Sequence, residues 1–478
     1  MIHIRHSFLL AALVLGSILQ AAPPPNILLI VADDLGYGDL GCYGQEQIQT
    51  PHLDRLARDG MRFTQAYAGT SVCAPSRCVL YTGRHTGRAT VRGNRTRLMD
   101  PSTQALRDED ITYAEVLRTR DYATGLIGKW GLGEPGSAAA GLPMRQGFEY
   151  FFGYLNQTQA HNSWPTHLWR GETRVPLRNL VPDETPVGAG VASQRIDYTP
   201  DLFRREAIEF LRAQRGRPFA LTLTPTQPHA NNESQPIGLE VPDTGIYAPR
   251  DWPEAMRLYA ALVTRLDDDV GAVLAELDAL GLAATTLVIF SSDNGPHRES
   301  GAEPSFFNSA GGLRGIKRDL YEGGIRVPFI ARWPGRIPAG RTEEAPIHFA
   351  DMLPTLAAVA GAAAPEGSDG VSLLPTLLGQ PQPELRDRLL LWEFYEGGYK
   401  VAARRGDWKV VRPRLDQPWE LFDLASDPAE TRDLASAHPD KVAAFEAAIR
   451  EARTDSETWP ITLERYAGGV AAPVSASR

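Results

Sequence analysis

Cysteine is nearly absent. Three thiols in 478 residues cannot build a disulfide scaffold, and an odd number cannot all pair internally. Neither a CxxC nor an HExxH pattern occurs, so the common thiolate and paired-histidine routes to zinc are missing. Positive charge is not in excess either. With 58 acidic against 49 basic residues and a net charge of −9, no global field draws the chain to nucleic acid or an anionic membrane; an anionic ligand must be held by local cations. The apolar run from Phe8 to Leu19 is too short to span a membrane comfortably. Arg5 before it and Ala21 and Ala22 after it give the layout of a secretory signal peptide over residues 1–22. The expectation is cleavage near Ala22, export to a periplasm or beyond, and no stable membrane anchor; a retained anchor is the alternative. Repeats, coiled-coil heptads and long low-complexity segments are also lacking.

What is present is a hydrophobic content of 43%, enough to bury a large core in one large domain with a smaller one beside it. The stretch around which the rest is organised is Ser71 to Arg84, SVCAPSRCVLYTGR. Pro75 suits a first helical turn, where a missing N–H is harmless, and Gly83 stops the apolar helix begun there. Cys73 then stands at the positive end of the helix, and Arg77, one turn on, leans back over it. Such a start attracts an anion. A structural Cys73, bridged to Cys78 or Cys42, is the other reading of the same residues.

Cys73-Ala74-Pro75-Ser76-Arg77, continued by Leu80-Tyr81-Thr82-Gly83-Arg84, closely resembles the signature of type I sulfatases. The resemblance implies that a formylglycine-generating enzyme oxidises Cys73 to formylglycine, whose hydrated aldehyde is the nucleophile. A cysteine consumed by modification also fits the odd thiol count. The fold implied is α/β and alkaline phosphatase-like. It has a large, mixed, mostly parallel sheet flanked by helices and a smaller C-terminal antiparallel sheet. The implied division is a catalytic domain over 23–375, a C-terminal subdomain over 385–467 and a loose tail over 468–478.

Taken in order, Asn26 to Ala32 is an unbroken apolar run, as in a parallel strand buried on both faces. It ends in Asp33-Asp34, and ligands gather at the carboxyl ends of such strands. Adjacent carboxylates there call either for a cation or for a helix cap and loop. Thr285 to Phe290 repeats the pattern and ends near Asp293-Asn294. Together the two pairs make a hard oxygen set suited to calcium or magnesium; the resemblance implies one calcium per site, with Cys73 among its ligands.

Thr50 to Tyr67 contains an amphipathic helix from Pro51, closed by Gly60; His52 within it reads as a surface or capping residue. Ala123 to Gly133, ATGLIGKWGLG, resembles the segment in which sulfatases carry a lysine and a histidine. Lys129 maps to that lysine, for sulfate binding, but Gly131 stands where the histidine is usual. Either another base substitutes or the step is organised differently. Gly147 to Trp169 is dense in aromatics, which suits either core or a glycan pocket. His161, then His167, is a candidate for the missing proton carrier.

Arg170 to Gln194 reads as a polar surface excursion. Asp201 to Gln214 is a helix, Pro218 to Thr224 a buried strand, and His229, just past its end, maps to the family histidine that contacts the ester oxygen. Trp252 to Leu280 is a long amphipathic helix whose Asp267-Asp268-Asp269 run reads as a solvated face. His297 is either a further proton carrier or a loop residue. Gly311 to Pro328, GGLRGIKRDLYEGGIRVP, resembles the sulfatase segment that brings in a second lysine, here Lys317. Arg314 and Arg318 beside it are substrate contacts or a basic surface loop. Leu389 to Leu434 alternates as a small antiparallel sheet, with Lys441 to Arg453 as its packing helix.

The resemblance therefore implies an exported sulfuric ester hydrolase acting on a sulfated carbohydrate or aryl sulfate. Calcium, Arg77, Lys129 and Lys317 would stabilise the sulfate, and His229 would protonate the leaving oxygen. Two rivals stand beside it: a phosphonate monoester or phosphodiester hydrolase with the same nucleophile, and an inactive glycan-binding relative, which Gly131 makes reasonable.

Overall fold

A computed structural model describes residues 24–94, 100–462, 466–467 and 470–471. The expected signal peptide and most of the expected tail lie outside these residues. Among the described residues no helix is long and apolar enough to cross a membrane.

The apolar runs form the middle of a ten-stranded sheet. Its order is Arg341–Glu343, Met61–Phe63, Phe329–Arg332, Thr286–Ser292, Asn26–Ala32, Phe219–Thr224, Ala123–Lys129, Tyr150–Tyr154, His167–Arg170 and Thr173–Pro176. The strand Asn26–Ala32 pairs in parallel with both of its neighbours, and Ala123–Lys129 does the same. Antiparallel pairing enters only toward the two edges. Because side chains alternate along a strand, Ile27, Leu29 and Val31 enter the core on one face while Leu28, Ile30 and Ala32 enter the core on the other. Helices Cys73–Thr82, Tyr113–Arg118 and Met352–Val359 cover the first face. Helices Pro51–Arg58, Thr199–Gln214 and Glu254–Ala279 cover the second. Each large aliphatic side chain so buried contributes about 1.5–3 kcal/mol.

The smaller sheet has four antiparallel strands in sequence order: Leu390–Phe394, Lys400–Arg405, Trp408–Arg412 and Glu420–Asp423. One face, with Trp392, Phe394, Val411 and Phe422, packs on Tyr67, Val72, Leu320 and Ile325 of the main body. The other packs on helix Pro439–Ala452 through Phe445 and Ile449. Between sheet and body lies Lys409, fully buried, 2.9 Å from Glu322 and 2.8 Å from Glu430.

One expectation needs correction, and two are narrowed. The Asp267–Asp269 run is not a solvated face: Asp267 and Asp269 are buried and only Asp268 is exposed. Thr50 makes no side-chain cap on helix Pro51–Arg58, and Asp267 takes over that task from the facing helix, accepting the N–H groups of His52 (3.0 Å) and Leu53 (2.7 Å). Asp269 is held by Arg204 and Arg265. The aromatic segment supplies core: Phe148, Phe151, Phe152, Tyr154 and Trp164 are buried and present no ring to a sugar. The polar excursion includes the edge strand Thr173–Pro176, hairpinned onto His167–Arg170.

Candidate active site

Four adjacent parallel strands deliver the site at their carboxyl ends. Ala32 and Ser292 are register partners, so Asp33-Asp34 and Asp293-Asn294 emerge side by side. The neighbouring strands Phe219–Thr224 and Ala123–Lys129 lead to His229 and Lys129. Helix Cys73–Thr82 begins at the cysteine itself and stops at Gly83 in the left-handed conformation, φ 68°, as the sequence predicts.

Cys73 lies against these strand ends. Its Sγ is 3.4 Å from Asp33 Oδ1, and ligand atoms of Asp33, Asp34, Cys73 and His229 all fall within 4.8 Å of one another. Burial pushes the Cys73 thiol well above the ordinary range. All three cysteines are free, so a bridge from Cys73 to Cys78 or Cys42 is not formed.

Each carboxylate has a cation. Lys129 Nζ sits 2.6 Å from Asp33 Oδ2, and Lys317 Nζ 2.8 Å from Asp34 Oδ2. Arg77 contacts Asp293 Oδ2 through Nε at 3.0 Å and its terminal nitrogen at 2.9 Å, and donates to the Lys129 carbonyl at 2.9 Å. Arg77 is fully enclosed, so its geometry is that of a group fixing Asp293 and the Lys129 strand end. Burial pushes Asp33 up, but Lys129, His229 and Arg77 outweigh it and hold the carboxyl well below the usual range. Asp293 goes the other way, raised by burial and by Asp33 despite Arg77.

A cation fits this donor set. Three buried carboxylates crowd together, and Asn294 Oδ1 is a buried acceptor with no hydrogen-bond partner, while its Nδ2 donates to Asp34 Oδ1 at 2.7 Å. An orphaned amide oxygen beside clustered carboxylates is what a hard, oxygen-seeking ion satisfies.

His229 is buried, with Nδ1 donating to the Ala230 carbonyl at 2.6 Å and Nε2 3.3 Å from Lys317 Nζ. A carbonyl only accepts and an ammonium only donates, so the ring is the neutral Nδ1–H tautomer. Burial, then Lys317, pulls its pKa down to about 3. Two further imidazoles stack on it: His161 at 5.0 Å and 14°, and His297 at 5.9 Å and 21°. The structure thus brings His161 and His297 to the site, whereas His167, on the strand His167–Arg170, is tied to Gln159 and Thr166. Arg314 it does not: that guanidinium lies 3.7 Å over the Tyr321 ring and pairs with Glu420 of the small sheet.

Arg318, by contrast, borders the site. Its backbone is left-handed, φ 76°; its N–H donates to Ser71 O and its carbonyl accepts from Lys400 Nζ. Its guanidinium joins Glu299 to Glu396. Glu299 also holds Lys317 at 2.9 Å. Neither Glu299 nor Glu233, which binds His161, was found from sequence, since neither sits in a recognisable motif. At Gly131, φ is 80°, and a β-carbon there would fall 2.3 Å from Gln157 Nε2. The place of the usual histidine is thus covered by an amide from the next strand's loop.

Comparison with known proteins agrees with this geometry. The family profile described as Sulfatase matches residues 25–362, and one described as N-sulphoglucosamine sulphohydrolase, C-terminal, matches residues 315–453. Arylsulfatase A of Homo sapiens is 35% identical over 472 residues, spanning 89% of this chain and 86% of the relative. Steryl-sulfatase of Mus musculus is 32% identical, spanning 91% and 82%. Among solved structures, Ps i-CgsB in complex with k-i-k-neocarrahexaose superposes with a TM-score of 0.75 at 27% identity, covering 92% of this chain and 95% of that one. With its strand-end acids, Cys73 helix and two lysines in one place, the chain belongs to the sulfatase family, sulfuric ester hydrolases of the alkaline phosphatase superfamily.

Proposed function

We propose that this hydrolase removes sulfate from a carbohydrate outside the cytoplasm, using formylglycine at position 73 and one calcium ion. The observation that carries the reading is the convergence on Cys73 of Asp33, Asp34, Lys129, Lys317 and His229. Asp33, Asp34, Asp293 and Asn294 would hold calcium, which when bound supplies positive charge for the sulfate, and hydrated formylglycine supplies the attacking hydroxyl. Lys129 and Lys317 bring two further positive charges to the sulfate oxygens. Arg77 acts by fixing Asp293. Lys317, hydrogen-bonded to His229, is assigned to the ester oxygen.

The carbohydrate reading draws support from the polar rim of Glu233, Glu299, Arg318 and Glu396, and from relatives such as the N-acetylgalactosamine-6-sulfatase of Canis lupus familiaris, 31% identical over 84% of this chain. A formylglycine-generating enzyme is then a required partner. The test is peptide mass spectrometry of the Cys73 peptide after coexpression with that enzyme, and then sulfate release from sulfated sugars and aryl sulfates. An aldehyde at position 73 with sulfate turnover supports the reading. An unmodified thiol with glycan binding and no turnover replaces it with the binding-protein rival, and turnover confined to phosphonate esters replaces it with the other.

A further inference from the structure

Three imidazoles form one stack at the site, and their nitrogens are used differently. His297 is fully buried and both nitrogens are committed, Nε2 to Pro228 O and Nδ1 to the Glu299 N–H. His229 carries its proton on Nδ1, spent on Ala230 O, and its Nε2 takes a hydrogen bond from Lys317. As placed, its Nε2 has no proton to give, and the lysine beside it, with Asp34 Oδ2 at 3.5 Å and Glu299 Oε2 at 3.8 Å beyond, occupies that side.

His161 is built otherwise. It closes the outer end of the stack, and its side chain is 17% exposed against 3% for His229. Its Nδ1 is 3.1 Å from Glu233 Oε2, which fixes Nδ1 as the hydrogen-bearing nitrogen facing the carboxylate. Its Nε2 makes no hydrogen bond to a described residue. Glu233 is itself set by the loop past the His229 strand, where its N–H donates to Asn231 Oδ1 at 3.1 Å. A carboxylate, an imidazole and a second nitrogen without a hydrogen bond, on a side chain that is 17% exposed, form a unit that takes a proton from solvent and passes it on.

We propose that the Glu233–His161 pair supplies the proton for the leaving oxygen. The inference rests on the sulfatase reading and adds a proton carrier to it. As the sulfur–oxygen bond breaks, the electron pair stays on the departing oxygen. The Nε2–H bond of the His161 imidazolium transfers its proton there, and the alcohol leaves neutral. His161, now a neutral ring with its remaining proton on Nδ1 toward Glu233, regains the Nε2 proton from water. The groups facing His161 are Glu233 on one side and His229 on the other, with Lys317, Asp34 and Glu299 beyond His229. His229 contributes a flat apolar face that fixes the ring plane.

The experiment is kcat/KM on a graded series of aryl sulfates, from 4-nitrophenyl to phenyl and 4-methoxyphenyl sulfate, for the mature enzyme and for His161→Asn and Glu233→Gln. A nitrophenolate departs without a proton, whereas the less acidic phenols need one. The expected result for His161→Asn is a loss that grows along the series to about 10²-fold or more at its poor end, with at least a tenfold smaller loss for 4-nitrophenyl sulfate. Glu233→Gln, which keeps the shape of the pair, shows the same trend at smaller amplitude. An equal loss across the series assigns His161 a structural role and overturns the proposal, as does no loss. No turnover of any aryl sulfate by the unaltered enzyme overturns the sulfatase reading itself, a different outcome from either.

Discussion

Lys317 Nζ lies 3.3 Å from His229 Nε2 and 2.8 Å from Asp34 Oδ2, so one ammonium links the middle ring of the histidine stack to a carboxylate assigned to the metal. Lys317→Ala removes a transition-state charge and leaves Asp34 and Glu299 short of a partner. The expected loss in kcat for an aryl sulfate is about 10²–10³-fold. Thermal unfolding should show a metal-free protein destabilised by about 3–5 kcal/mol, part of which calcium restores.

Cys73→Ala removes the atom from which the nucleophile is made and little else. Sulfate release falls to background, while calcium still raises the Tm, because the four oxygen donors remain. Retained turnover in this variant overturns the formylglycine mechanism.

Chelation is expected to lower the Tm of the mature enzyme as well as its activity. Three carboxylates buried to 0% exposure repel one another once the ion is gone. Differential scanning calorimetry with and without chelator reads the effect; an unchanged Tm argues against the assigned ligands.

Lys409→Ala tests the joint between the two sheets. It strands two buried glutamates, for an expected cost of about 3–5 kcal/mol by urea unfolding. Burial raises Glu322, but Lys409, Arg326 and Arg404 outweigh it and hold its pKa down at about 2. A carboxyl lowered on folding stabilises fully above its ordinary value, 4.5, and that contribution is lost as pH falls from there toward 2. The variant should therefore lose less stability than the parent across that acid window.

Gly131→His restores the common family residue but is expected to fail alone. The left-handed φ of 80° and the Gln157 amide 2.3 Å from the new β-carbon both oppose it, for a loss of at least about 1 kcal/mol. Combined with Gln157→Ala, only the backbone strain remains. Urea midpoints of the single and double variants separate the two contributions.

Much of the site was legible in the chain. A strand buried on both faces announces itself as an unbroken apolar run, and the residues just past its end are set at the sheet's edge by geometry alone. Asp33, Asp34, Asp293, Asn294 and His229 were readable for that reason. Glu299, Glu233 and the pairing of Arg77 with Asp293 were not. Glu233 and Arg77 depend on partners far along the chain, 72 residues away for His161 and Glu233 and 216 for Arg77 and Asp293, and Glu299 meets Lys317 across an irregular loop 18 residues long; contacts of neither kind leave a periodic pattern. Asp267 misled because an acidic triplet reads the same whether all three members face water or two turn inward, one to a helix end and one to a pair of arginines.

The backbone of Arg318 is grasped from two directions, by Ser71 two residues before Cys73 and by Lys400 of the small sheet. Through that residue the C-terminal strands are tied to the segment that carries Lys317 and to the start of the Cys73 helix. Exchanging them for those of another sulfatase would therefore alter the seat of Cys73 together with the outer contacts, and a chimera made at this seam must carry residues 317–319 along with its new partner.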